Sequence, residues 1–136
     1  MAKIDGEGQL TGTERCSFDN LLALNTRSKY NNLSEDELIG IKDASHAVAI
    51  TLRKMREYAK IGMSTKELDD YGLAILESFG ANPAPKKDYN FPGCACISIN
   101  DEVCHGIPSK NKIIRSGDLI NIDVSAEVNG FYGDNP

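Results

Sequence analysis

Asn121-Ile122-Asp123-Val124-Ser125-Ala126-Glu127-Val128-Asn129-Gly130-Phe131-Tyr132-Gly133-Asp134 reads as a β-hairpin. Asn-Gly between two alternating apolar runs signals a two-residue type I′ turn, because both central residues must take positive φ. In that register Val128 faces Phe131, and Ser125 faces Asp134. Asp123 lies two residues from Ser125 and so shares its face. Asp123 and Asp134 become diagonal cross-strand neighbours with Cβ atoms about 7 Å apart, a spacing that lets two carboxylates meet at one or two metal ions. Asp123 is flanked by Ile122 and Val124. An unpaired carboxylate buried there would be strongly disfavoured or would take up a proton, and a divalent cation removes that cost. The same spacing also suits two aspartates facing water on an exposed sheet surface. The pattern alone leaves both readings open.

Upstream, the apolar period changes from two to between three and four. Ser34 and Glu37 form an S-x-x-E capping box, which satisfies backbone N–H groups at a helix start. Leu38, Ile41, Ser45, Val48, Leu52, Met55 and Ala59 follow at helical spacing, predicting a helix of roughly seven turns that ends at Gly62. Ser64 and Glu67 repeat the box. Leu68, Tyr71, Ile75 and Phe79 then line a second helix, closed by Gly80. Residues 81–93 hold Pro83, Pro85, Pro92 and Gly93 and are expected to be neither helix nor central strand. Cys94–Asn100, Val103–Ile107 and Leu119–Val128 read as strands, with Ser116-Gly117-Asp118 as a turn. Two helices followed by antiparallel strands predict an α+β fold, the helices packed on one face of the sheet.

Composition narrows the function. The chain has 136 residues, a one-domain length, with 40% hydrophobic and 26% charged residues, as in a soluble globular protein. Twenty acidic against 15 basic residues, with no basic run, leave no footprint for nucleic-acid binding. No apolar stretch approaches the roughly 20 residues of a membrane span, and no signal-peptide core is visible. A cytoplasmic location is expected. Cys16, Cys94, Cys96 and Cys104 contain no C-x-x-C pair, so free thiols are expected, with Cys104 packed in the core. His46 and Glu127 read as solvated. Residues 1–33 show no sustained period and are read as a mobile or loosely packed extension.

Four motifs then act together. Cys96-Ile97-Ser98-Ile99-Asn100, Glu102-Val103-Cys104-His105-Gly106-Ile107-Pro108, Gly117-Asp118-Leu119-Ile120-Asn121-Ile122-Asp123-Val124 and Gly130-Phe131-Tyr132-Gly133-Asp134 resemble, in order and spacing, the type I methionine aminopeptidases. The resemblance covers residues 34 to 134. It implies the N-terminal half of a "pita-bread" catalytic domain over residues 34–136, with a partial pita-bread fold. It implies removal of the initiator methionine from nascent proteins at the ribosome, with N-terminal methionine peptides as substrates. It also implies two divalent metal ions, with cobalt, manganese, iron or zinc all compatible with carboxylate ligands. Asp123 and Asp134 fall on the first two ligands of the family, and His105 on the histidine that contacts substrate and helps polarise the scissile carbonyl. Phe91 and Cys96 fall near the methionine pocket, with Tyr89 beside them. The family's remaining ligands, a histidine and two glutamates, lie further along its chain than Pro136, so the site is expected to be incomplete here. Asn135 stands where the family usually has threonine. A non-catalytic binding module of the same fold is the alternative.

Overall fold

The computed structural model describes residues 2–4, 10–11 and 33–135. Of the expected N-terminal extension, therefore, only strands β1 (Ala2–Ile4) and β2 (Leu10–Thr11) and the residues from Leu33 onward are described. Both capping boxes form. Ser34 Oγ accepts from the Glu37 N–H at 3.2 Å while Glu37 Oε2 accepts from the Ser34 N–H at 2.8 Å, opening α1 (Glu35–Tyr58). Ser64 and Glu67 repeat the exchange and open α2 (Thr65–Ser78). Each box satisfies N–H groups that have no partner inside the helix.

The deepest line of α1 runs through Ala44, Ala47, Val48, Thr51 and Met55, while Leu38, Ile41, Ser45 and Leu52 flank it half-buried. The inner line is therefore rotated from the expected stripe toward small residues. The contacts explain the rotation. A Cβ on Gly133 would lie 2.7 Å from the Ala44 backbone, so strand and helix meet almost without intervening side chains. Met55 sits in the space left by Gly72 on α2. Phe79, expected on the buried face, is the C-cap of α2 and is partly exposed, with the His46 ring edge-on to it at 5.9 Å.

After α2 the chain forms β3 (Asn82–Pro83), α3 (Ala84–Tyr89), β4 (Ala95–Ile99), β5 (Leu119–Val128) and β6 (Phe131–Asn135). The long strand β5 is central. On one edge β4 and β3 pair with it, and on the other β6 and β1, all antiparallel. Helix α1 covers the face that carries Val124, Ala126 and Gly133, giving the expected two helices on an antiparallel sheet.

Two expectations fail between the helices and the hairpin. Residues 81–93 do contain a helix, while their short strand β3 lies at the sheet edge and not in its centre. Pro85 occupies the first turn of α3, where a missing N–H is harmless, and Pro83 pairs only at the short end of β5. Val103–Ile107 is not a strand. Asn100 and His105 both take left-handed conformations (φ 57° and 55°), and the Glu102 N–H turns back to Ile99 O at 3.2 Å, so the segment cannot extend. Later, the Gly62 N–H donates to Ile114 O and the Ile114 N–H to Met63 O. These bonds tie that loop to the α1–α2 junction.

The tight α1–β6 seam makes a direct prediction. Gly133→Ala places a methyl against the backbone of Ala44, which cannot move aside as a side-chain tip can. Overpacking of this kind should cost about 1–3 kcal/mol. Urea unfolding should show a lower midpoint at unchanged m-value; an unchanged midpoint would mean that the helix can lift from the strand without loss.

Candidate metal and substrate site

The hairpin register is as the sequence predicts. Asn129 and Gly130 have φ of 51° and 87°, Val128 pairs with Phe131, and Ser125 pairs with Asp134. On the other edge of β5, Cys96 is the cross-strand partner of Asp123. Asp123 thus stands mid-sheet with Asp134 diagonal to it on one side and Cys96 beside it on the other. This face is the one opposite α1.

Electrostatics identify the near neighbours. The Asp123 carboxyl is held above the usual range by burial first and by the Asp134 charge second, while His105 draws it back down. Two carboxylates and one imidazole therefore act on each other. Cys96 is buried, and its thiol is pushed up by burial, by Asp123 and by Cys104. Among the described residues no lysine or arginine forms an ion pair with Asp123 or Asp134.

His105 is presented by a backbone clasp. The Ile97 N–H donates to Gly106 O at 2.8 Å, and the Gly106 N–H to Ser98 Oγ at 3.0 Å. A Cβ at Gly106 would come within 2.2 Å of Ile97 O, so only glycine allows this approach. His105, next in the chain, is left exposed above β4 in its left-handed conformation. The same bend puts Cys104 in solvent rather than in the core, because the alternation of an extended strand does not apply there. Cys94, Cys96 and Cys104 are all free thiols.

The remaining candidates lie at and just after the end of α3. Phe91 is half-buried in the segment between α3 and β4, its N–H bonded to Pro85 O at 3.1 Å. Tyr89 ends α3 and is 85% exposed. Two buried carboxylates escaped the sequence reading. Glu127 is 5% exposed rather than solvated, because Lys87 and Asn82 reach across from the α3 region to cover it. Asp69 accepts the N–H groups of Cys94 and Ala95 at 2.8 and 3.0 Å and so sets the start of β4. A signal for Asp69 was present: it shares helical spacing with buried Gly72 and Leu76.

Two adjacent carboxylates, one of them disfavoured in its charged form, suit a divalent cation. Among the described residues, however, no group of three or more His, Cys, Asp or Glu is placed to hold a metal ion. The described residues accordingly offer two neighbouring carboxylates and no third group clustered with them. The raised Asp123 pKa means that its ionised form destabilises the cation-free fold, a penalty present above the folded pKa and gone below the unfolded one. Asp123→Asn should therefore raise the thermal midpoint of the cation-free chain at pH 7, and the gain should vanish near pH 3. Manganese should stabilise the wild type more than the variant. Equal midpoints at pH 7 would show that ionised Asp123 carries no penalty from its burial and its neighbour.

Comparisons with known proteins bear on the fold and the family. The chain is 54% identical over 101 residues to methionine aminopeptidase 2 of Bacillus subtilis, covering 74% of this chain and 41% of the relative. A methionine aminopeptidase of Staphylococcus epidermidis is 48% identical over 101 residues, covering 74% and 40%. The chain thus spans about two fifths of the length of these curated relatives. The crystal structure of a Thermotoga maritima methionine aminopeptidase superposes with a TM-score of 0.72 at 33% identity, over 75% of this chain and 41% of that one. The Rickettsia prowazekii enzyme gives 0.70 at 37%, with the same coverage. The two helices on an antiparallel sheet are thus part of the pita-bread fold. Residues 40–135 match the model of metallopeptidase family M24, and that span takes in the hairpin, the His105 bend, α2 and all of α1 beyond its first five residues: the chain belongs to metallopeptidase family M24.

Proposed function

We propose that this chain is the N-terminal half, residues 34–136, of a type I methionine aminopeptidase that removes the initiator methionine from nascent proteins. The observation that carries the reading is the diagonal placement of Asp123 and Asp134 on one sheet face, with His105 within electrostatic reach of Asp123, in a chain of this family and beside relatives named methionine aminopeptidase. The substrates would be peptides with N-terminal methionine, including nascent chains at the ribosome. A cytoplasmic setting fits such substrates, and among the described residues no helix is long and apolar enough to cross a membrane.

Asp123 and Asp134 would hold divalent cations, with cobalt, manganese, iron or zinc as candidates. When bound, such ions lower the pKa of water and polarise a carbonyl. The chain's own side chains then have separate tasks. His105 would donate an imidazole N–H to the carbonyl oxygen of the scissile peptide, steadying the charge that develops there. Cys96, beside Asp123, and the Phe91 ring would receive the thioether of the first residue, for which soft and aromatic groups are suited. Tyr89 would close the outer wall of that pocket. The Gly106 clasp would help to position His105, because it fixes the backbone immediately after it.

A second reading, a non-catalytic binding module, is favoured by the lack of a third clustered donor among the described residues. One experiment separates the two. The chain is fused in frame to the remaining portion of the Bacillus subtilis relative and assayed on Met-Ala-Ser with added manganese or cobalt. Turnover is expected, and its absence from a folded, metal-binding chimera would favour the binding module. In the active chimera Asp123→Asn should abolish turnover at limiting metal. His105→Ala should lower kcat by about 10²-fold while leaving metal affinity unchanged. Normal turnover by Asp123→Asn would overturn the ligand assignment.

A further inference from the structure

Glu127 is the cross-strand partner of Tyr132, and both sit on the same sheet face as Asp123 and Asp134. Each of the pair reaches α3. Glu127 Oε2 accepts from Lys87 Nζ at 2.6 Å and from Asn82 Nδ2 at 3.0 Å, while Tyr132 Oη donates to Asp88 Oδ1 at 3.3 Å. Glu127 also accepts from the Gly130 N–H, which ties it to the hairpin turn. A carboxylate 5% exposed is retained only when its charge is matched, and here one cation and two N–H donors match it.

Helix α3 needs such anchorage. It has six residues, well below the roughly 12–15 at which an isolated helix becomes even marginally stable. Its N-cap makes no side-chain hydrogen bond. Its far end is Tyr89, followed by Asn90 in the left-handed conformation (φ 54°) and then Phe91. What holds α3 to the sheet therefore also sets where the Tyr89–Phe91 segment lies.

We propose that Glu127 is a positioning residue that, with Tyr132, clamps α3 onto the hairpin bearing Asp123 and Asp134 and so fixes the Tyr89–Phe91 segment relative to those aspartates. The inference rests on the site reading above and adds to it a determinant of the methionine pocket that lies outside the pocket. The geometry is economical. Residues 123, 125 and 127 alternate to one face of β5, so a single strand carries the ligand at its middle and the clamp at its end.

The 136-residue chain itself serves for the test, with hydrogen exchange and paramagnetic NMR as readouts. In Glu127→Gln and Lys87→Met, amides of residues 86–91 should exchange at least about 10-fold faster, with β5 and β6 unchanged; Lys87→Arg should restore protection. Lys87 is largely exposed, so its variants test the clamp even where a Glu127 variant folds poorly. Manganese bound at the aspartates should broaden Cys96, His105 and Phe91 resonances in the wild type. In the clamp variants broadening should persist at Cys96 and His105 and weaken at Phe91. Unchanged exchange at residues 86–91 overturns the proposal. Faster exchange with undiminished Phe91 broadening also overturns it, since the clamp would then stabilise α3 without positioning anything. Absence of broadening at Cys96 and His105 in the wild type overturns the site reading and the positioning role with it.

Discussion

Strand β5 is hydrogen-bonded along both edges, and its alternation divides the molecule in two. Val124, Ala126 and Val128 turn toward the helices and are buried there, while Asp123, Ser125 and Glu127 turn to the opposite face. A slip of one residue would exchange the two sets, sending three carboxyl- or hydroxyl-bearing side chains into the core. The Asn129-Gly130 turn prevents the slip, because a two-residue type I′ turn admits one register only. Fold and site thus depend on the same constraint.

The helical side reinforces that register by contact at backbone distance. Gly133, opposite Ala126, lies against Ala44, and Gly72 admits Met55. The small residues at the α1–β6 seam let helix and strand approach until their backbones nearly touch, while Gly72 makes room for the Met55 side chain between α1 and α2. Interiors packed at this density shift in discrete steps rather than deforming smoothly. A face so supported can hold a half-buried carboxylate beside a second one, and the Asp123 carboxyl is raised by that burial first and by the Asp134 charge second.

Around the aspartates the chain uses bends in place of regular strands. Asn100, His105 and Asn90 all take left-handed conformations, and each marks a point where the chain leaves or approaches β4 or α3. The clasp between Gly106, Ile97 and Ser98 presents His105. The Asp69 carboxylate sets the start of β4. The Glu127–Lys87–Asn82 group holds the element that precedes Phe91. Polar groups bonded to residues elsewhere in the chain thereby set the His105 bend, the start of β4 and the element before Phe91.

The sequence by itself determined the parts governed by local period and turn chemistry. Both capping boxes, both long helices, the span of β5 and the diagonal of Asp123 and Asp134 are legible there, because each follows from residues within a few positions of one another. The resemblance of the motifs also pointed to His105 as a substrate contact and to Cys96 near the methionine pocket. Only the tertiary structure decided the rest. Glu127 looked solvated because its cover, Lys87 and Asn82, lies 40 and 45 residues away. Residues 81–93 looked irregular because proline excludes helix interiors, but the first turn of α3 needs no N–H from Pro85. Val103–Ile107 looked like a strand because alternation says nothing of left-handed φ at Asn100 and His105. Long-range hydrogen bonds and backbone bends leave no period in the sequence, so they appear only when the chain is folded.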